Sequence, residues 1–148
     1  MKYVYLYILI VLPNFAFADD SEMQKYLGEY LVSFSKSENL SHYFVETPHF
    51  IFGDHLMSPK SAVEASEFVL DIRSKLKEKS YENSEILKYT MRMNIDSISV
   101  VSLLLQRYKS GQRPLDRVCS TYGIIKGESG YSILSWQPSS PNNNGECE

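Results

Sequence analysis

The second half of the chain consists of four strand-like segments with very short polar breaks between them, and this pattern restricts the fold more than any other feature. The segments are rich in β-branched and aromatic residues and cover about residues 81–93, 98–108, 115–125 and 131–137. Each break is only a few residues long, which is too short for the crossover that a parallel pair requires. Neighbouring segments are therefore predicted to pair as an antiparallel meander.

The second of these segments carries apolar side chains at both alternating positions. Ile98, Val100 and Leu104 fall on one face of the predicted sheet, whereas Val101 and Leu103 fall on the other. A sheet with two apolar faces must be covered on both sides. Helices are expected to cover one face, and a second subunit is the predicted cover of the other.

Two helices are predicted before the strands. Apolar residues recur at helical spacing over residues 23–34, and a second helix is expected to start after Ser61 as N-cap, with Glu64 three residues later. A helical turn over 39–44 and a brief strand over 49–52 are predicted between them. Together with the meander, these elements indicate an α+β domain.

Residues 1–18 have the pattern of a secretory signal peptide. Lys2 precedes an apolar run over 3–12, and Ala16 and Ala18 place small residues at the −3 and −1 positions of a cleavage site. Ten apolar residues at about 1.5 Å each are too short to cross a hydrocarbon core of about 30 Å. We therefore expect an exported protein, periplasmic or secreted, with no membrane span after cleavage. The predicted organisation is a signal peptide over 1–18, a domain over 19–137 and a polar C-terminal tail over 138–148.

Export also affects how the two cysteines, Cys119 and Cys147, are interpreted. In an oxidising compartment an even number of cysteines permits one disulfide, which would tie the tail to the domain. Two unpaired thiols are the alternative. The spacing is not typical of a zinc site, so no metal is expected.

The net charge of −3 argues against one class of partner. A chain with 15 basic and 18 acidic residues has no surplus of positive charge with which to neutralise a phosphate backbone. Nucleic-acid binding is therefore not expected. The chain also lacks a Gly-rich phosphate-binding loop, and no cofactor is predicted.

The order of these elements resembles the nuclear transport factor 2-like superfamily, which includes ketosteroid isomerases, polyketide cyclases and scytalone dehydratase. The resemblance covers residues 21–137, with a Tyr-rich first helix, a short helix at Tyr43 and Phe44, a strand ending at Gly53, and a final STYGIIKGESGYSILSW segment. It implies a cone-shaped fold, in which a strongly curved, mainly antiparallel sheet wraps around N-terminal helices and encloses an apolar cavity. It also implies a homodimer formed through the outer face of the sheet.

The resemblance can be examined residue by residue for isomerase chemistry. Such enzymes use a carboxylate base, together with a Tyr and a neutral carboxylic acid as hydrogen-bond donors. Tyr30 falls close to the donor Tyr, but the base position falls at about Phe52 and the second donor at about Ser120. Asp54 and His55 are then the remaining candidates for a catalytic base.

Five aromatic residues are candidates for the lining of an apolar ligand pocket, and a filled core is the alternative interpretation of the same pattern. They are Tyr26, Tyr30, Phe52, Tyr122 and Trp136.

Three functions are compatible with these observations. Because two catalytic carboxylates are missing, the favoured one is an exported domain that binds a small apolar ligand or acts as a homodimeric accessory module. The second is an isomerase, cyclase or lyase of the polyketide-cyclase type. The third is a protein-interaction module of an envelope assembly.

Overall fold

The computed structural model describes residues 18–147, so residues 1–17 of the predicted signal peptide lie outside the described part of the chain. Within it, neither helix combines the length and apolarity needed to cross a membrane. The predicted α+β class is confirmed. The elements are helix α1 (Ala18–Lys36), a 3-10 turn (Ser41–Tyr43), strands β1 (Phe44–Phe52) and β2 (His55–Met57), helix α2 (Ala62–Glu78), and strands β3 (Tyr81–Ile95), β4 (Ile98–Lys109), β5 (Arg113–Gly127) and β6 (Gly130–Ser139).

The described strands form one sheet in the order β2-β1-β6-β5-β4-β3. From β3 to β6 every neighbouring pair is antiparallel, which confirms the meander predicted from the short breaks. β1 pairs in parallel with β6 and antiparallel with β2. The sheet is therefore mainly antiparallel, with one parallel pair.

Strand β1 is longer than the segment predicted over 49–52, because the chain continues through Pro48 instead of breaking there. The pairing of β1 with β6 begins at Phe44 and shifts register before His49. Proline has no N–H to donate to a ladder, so an irregularity of this kind is where a strand can accommodate it.

Both helices cover the same face of the sheet, the inner face. Helix α2 begins as predicted, since Ser61 Oγ accepts a hydrogen bond from the backbone N–H of Glu64 at 3.1 Å. The Glu64 carboxylate in turn accepts one from the backbone N–H of Lys60. The core between helices and sheet includes the apolar stripe of α1 and inward residues of β4 and β5: Met23, Leu27, Tyr30, Leu31, Phe34, Val101, Leu103, Leu105, Tyr122 and Ile124.

The outer face of the sheet is covered around Leu104 by the chain's own residues 140–147. A disulfide joins Cys147 to Cys119, which lies opposite Leu104 in the β4–β5 register, and Leu104 is only 8% exposed. Lys88 forms an ion pair with Glu146 at 2.9 Å, and Arg92 donates a hydrogen bond to the carbonyl of Cys147. The cover expected from a second subunit is thus provided here within the chain.

Candidate functional site

A cavity of about 230 Å³ lies between the helices and the inner face of the sheet. This volume equals that of about eight water molecules at about 30 Å³ each. Its wall is mostly apolar, and both helices, the end of β1 and strands β3 to β6 contribute to it. The lining residues are Tyr30, Leu31, Phe34, Phe52, Ile72, Leu76, Ser84, Leu105, Arg107, Val118, Ser120, Tyr122, Trp136 and Pro138.

One side of the cavity is a wall of aromatic rings held by strand register. Tyr122 and Trp136 are opposite each other on β5 and β6, and their rings stack with centroids 6.5 Å apart. Phe52 meets Trp136 edge to face at 5.5 Å, and Tyr30 meets Tyr122 in the same way at 5.9 Å. Because these rings pack against one another in the favoured edge-to-face and stacked geometries, they form a fixed surface toward the cavity.

The Tyr30 hydroxyl has no hydrogen-bond partner among residues 18–147, although the residue is 2% exposed and lines the cavity. Burial, reinforced by the nearby Tyr122, Tyr26 and Tyr81, raises the pKa of Tyr30 well above its ordinary value. The side chain is therefore a protonated donor at neutral pH. A buried donor without a protein partner is suited to an acceptor on a ligand.

Ser120 supplies the second hydroxyl on the aromatic side. Its Oγ accepts a hydrogen bond from Nε1 of Trp136 at 3.3 Å. Burial also raises the pKa of Tyr122, and a hydrogen bond with Ser120 opposes this shift in part. Neutral hydroxyls and one indole N–H are thus the polar groups on this side of the cavity.

Arg107 provides the one cation on the wall formed by the described residues. Its Nε and Nη2 donate to the two carboxylate oxygens of Asp116, each at 2.5 Å, so the guanidinium is held in a bidentate pair. Ser84 lies opposite Arg107 in the β3–β4 register and also lines the cavity, and its Oγ is 2.9 Å from the hydroxyl of Tyr81. Arg107 and Ser84 together form a polar part of an otherwise apolar wall.

Four of the five aromatic residues predicted to line a pocket do so, and Tyr26 does not. Tyr26 donates its hydroxyl hydrogen to the backbone carbonyl of Tyr43 at 2.8 Å, and its ring packs against Tyr43 and Tyr131. The prediction for Tyr26 is therefore corrected. Tyr26 lies one helical turn before Tyr30, and although both rings pack against Tyr43, this displacement along α1 places Tyr26 against Tyr131 and Tyr30 against Tyr122.

The candidate bases Asp54 and His55 lie away from the cavity. Gly53, with φ of +63°, and Asp54 form the tight turn between β1 and β2, and this turn directs both candidate side chains into solvent. The side chain of Asp54 is 93% exposed and that of His55 83% exposed, and neither lines the cavity. The catalytic roles considered for these two residues therefore have no geometric basis.

The three positions compared with the isomerases do meet in one place. Tyr30, Phe52 and Ser120 all line the cavity, so the alignment of these positions is geometrically consistent. The base position nevertheless carries a phenyl ring. Within the described part of the chain, the cavity wall includes no Asp, Glu or His side chain that is able to shuttle a proton at neutral pH.

The polar part of the wall, Arg107 and Ser84, was not among the site residues predicted from the sequence. Arg107 has the same strand parity as Leu103 and Leu105, which places it on the inner face. A cation at an inward position of a strand could therefore have identified Arg107 as a site residue from the sequence. Ser84 carried no comparable signal, because its position follows from the register of β3 against β4.

Comparisons with known proteins agree with this architecture. A family model described as NTF2-like protein (DUF6841), where NTF2 stands for nuclear transport factor 2, matches residues 20–141. A search of curated proteins found no significant match.

Solved structures with the same fold share little sequence with this chain. An NTF2-like protein with a cystatin-like fold from Novosphingobium aromaticivorans has a TM-score of 0.65 at 11% identity, over 85% of this chain and 84% of that one. A domain of unknown function from Nostoc punctiforme PCC 73102 has a TM-score of 0.64 at 16% identity, over 84% and 78%. The yeast UBP3-associated protein BRE5 has a TM-score of 0.57 at 12% identity, over 82% and 92%. At these identities the likeness concerns the fold alone.

Proposed function

Because the chain belongs to the NTF2-like protein family (DUF6841), whose conical fold it shares, we propose that it binds a small, mainly apolar ligand inside the cone. One observation carries the proposal, namely the cavity of about 230 Å³, which is lined by Tyr30, a residue whose hydroxyl has no hydrogen-bond partner among residues 18–147. An apolar wall with a few convergent polar groups is typical of small-molecule sites. The proposed ligand has about eight to ten non-hydrogen atoms and an acceptor for Tyr30.

Binding is favoured over catalysis because the wall has donors and no general base among the described residues. Tyr30 is suited to hold a carbonyl or hydroxyl oxygen, but proton transfer needs a second group with a pKa near neutrality. An isomerase, cyclase or lyase of the polyketide-cyclase type is the alternative. It would use Tyr30 as donor, and it predicts turnover that Tyr30→Phe abolishes.

We also propose that the protein is exported. The disulfide between Cys119 and Cys147 supports this proposal, since such bonds persist in oxidising compartments. N-terminal sequencing of the secreted or periplasmic protein is expected to begin at Asp19. Retention of residues 1–18 as an anchor would instead favour the module of an envelope assembly.

The single tryptophan of the chain makes the ligand proposal directly testable. Trp136 lines the cavity and is the one tryptophan in the sequence, so its fluorescence reports on what fills the space. We expect octanamide, a neutral probe of suitable size, to change this fluorescence saturably and to raise the melting temperature.

A pair of matched variants separates binding in the cavity from binding elsewhere. Val118 lines the cavity, whereas Val100 is half-buried on the outer face of β4. Val118→Phe is expected to fill the space and abolish the octanamide response, and Val100→Phe is expected to preserve it. Equal responses of both variants, or no saturable response of the native protein, would contradict the proposal.

A further inference from the structure

We infer that the ligand is an apolar carboxylate whose charged group is recognised by Arg107. This inference rests on the proposed function and names the chemical class of the ligand. Arg107 has an inward position on β4, between β3 and β5 in the sheet, and its side chain is 21% exposed. It is the one cation among the described lining residues, so an anionic group in the cavity has a single place at which to be neutralised.

The ion pair with Asp116 leaves Arg107 able to bind a ligand. A guanidinium has five N–H donors, and the bidentate pair uses one from Nε and one from Nη2. The remaining N–H groups are available to an acceptor in the cavity. Asp116 meanwhile fixes the plane of the guanidinium, which reduces the side-chain entropy that a ligand would otherwise have to overcome.

Ser84 places a neutral hydroxyl beside the guanidinium. It lies opposite Arg107 in the strand register and lines the same cavity. Ser35 donates its hydroxyl hydrogen to the carbonyl of Leu31, so the Tyr81 hydroxyl donates to Ser35 Oγ at 3.1 Å. The Ser84 hydroxyl therefore donates to the Tyr81 oxygen at 2.9 Å and faces the ligand as an acceptor. The donor that recognises a carboxylate on this part of the wall is therefore the Arg107 guanidinium, whose planar fork of N–H groups is complementary to the two carboxylate oxygens. The apolar wall then accommodates the remainder of the ligand, and Tyr30 is available to a second acceptor.

Asp116 and a bound carboxylate compete for the same positive charge. Asp116 has a side chain that is 43% exposed, so water stabilises its carboxylate when the pair is loosened. This competition has a measurable consequence. Neutralising Asp116 is expected to strengthen the binding of an anionic ligand and to leave a neutral ligand unaffected.

The test compares octanoate with octanamide, which have the same size and differ in charge. Native protein is expected to bind octanoate about 10-fold more tightly than octanamide, in keeping with a charge-assisted hydrogen bond inside a cavity. In Arg107→Gln the two affinities are expected to become equal, with octanamide affinity unchanged. Arg117→Gln is the matched control, because Arg117 lies on the neighbouring strand, bonds Gln106 and does not line the cavity.

A second variant keeps the test decisive if Arg107→Gln folds poorly. Asp116→Asn is expected to tighten octanoate binding by about 3-fold to 10-fold without changing octanamide binding. Equal affinities of the native protein for the two probes would overturn the carboxylate inference while the proposed function stands. Failure of both probes to bind would overturn both. Loss of octanoate preference in Arg117→Gln would place the recognition on the outer face and also contradict the inference.

Discussion

Cys119 and Cys147, which are 28 positions apart in sequence, are joined by a disulfide across the outer face of the sheet. The bond holds residues 140–147 over Leu104, where the β4 strand presents apolar side chains away from the helices. A turn within this segment is closed by Asn142, whose Oδ1 accepts hydrogen bonds from the N–H groups of Asn144 and Glu146. The segment is therefore a folded cover that the disulfide fastens to β5.

Removal of the disulfide is expected to lower the free energy of unfolding by about 3–4 kcal/mol, because the unfolded chain regains the freedom of a closed loop of this length. Cys147→Ala is the appropriate change, since Cys119 is buried and Cys147 is only half-buried. Urea denaturation at equilibrium measures the difference. Treatment of the native protein with a dithiol reductant should produce a similar loss, and reductant should have no effect on Cys147→Ala.

Tyr30→Phe is expected to weaken octanamide binding about 5-fold while leaving the free energy of unfolding unchanged or slightly higher. The hydroxyl that is removed has no partner among residues 18–147, so folding loses no hydrogen bond. Tyr26→Phe is the matched comparison, because it removes the bond to the Tyr43 carbonyl outside the cavity. It should lower stability by about 1 kcal/mol and leave affinity unchanged. The reverse pattern would show that Tyr30 is structural.

The main elements were predictable from local sequence because each depends on near neighbours. Alternation of apolar residues and short breaks located β3 to β6, and Ser61 with Glu64 located the start of α2. The local sequence could not show, however, which of Tyr26 and Tyr30 lines the cavity. Both belong to the same apolar stripe of α1 and both rings pack against Tyr43, so the difference depends on tertiary contacts: the Tyr26 hydroxyl bonds the Tyr43 carbonyl, whereas Tyr30 packs against Tyr122 beside the cavity.

The local sequence pattern also could not predict which part of the chain covers the outer face. An apolar strand face at Leu104 indicates that something must pack on it, but the identity of that partner depends on a contact between Cys119 and Cys147, far apart in sequence. The same limit applies to Asp54, whose distance from the cavity depends on the turn geometry at Gly53.

The uncovered part of the outer face is expected to mediate the homodimer that the resemblance implies. Ile95 and Ile98 pair across the β3–β4 turn and are exposed, with Ile95 at 59%. Ile95→Lys is expected to reduce self-association, because it places a charge in an apolar contact. Sedimentation velocity over a range of concentrations measures the change. Val63→Lys is the control, because Val63 is an exposed residue at the start of α2, away from the outer face of the sheet, and it should leave association unchanged. A native protein that is monomeric throughout would contradict the prediction.

Stability is expected to fall steeply above about pH 10, because burial raises the pKa of Tyr26, Tyr30 and Tyr122 in the folded protein. Between the ordinary pKa of tyrosine and the raised values, the unfolded chain has released these protons and the folded chain retains them. The folded state binds more protons there, so the free energy of unfolding decreases with pH, by up to about 1.4 kcal/mol per pH unit for each tyrosine. Below pH 9 these residues should cause no pH dependence.

Urea midpoints measured from neutral pH upward, together with tyrosinate absorbance, test this expectation. Tyr122→Phe should have a shallower decline above pH 10 than native protein, because one linked proton is removed. The comparison of slopes is informative even if the variant is less stable at neutral pH, since loss of the bond with Ser120 shifts the whole curve without steepening it. Identical slopes would mean that Tyr122 ionises in the folded state as readily as in the unfolded chain, which its burial beside Trp136 should prevent.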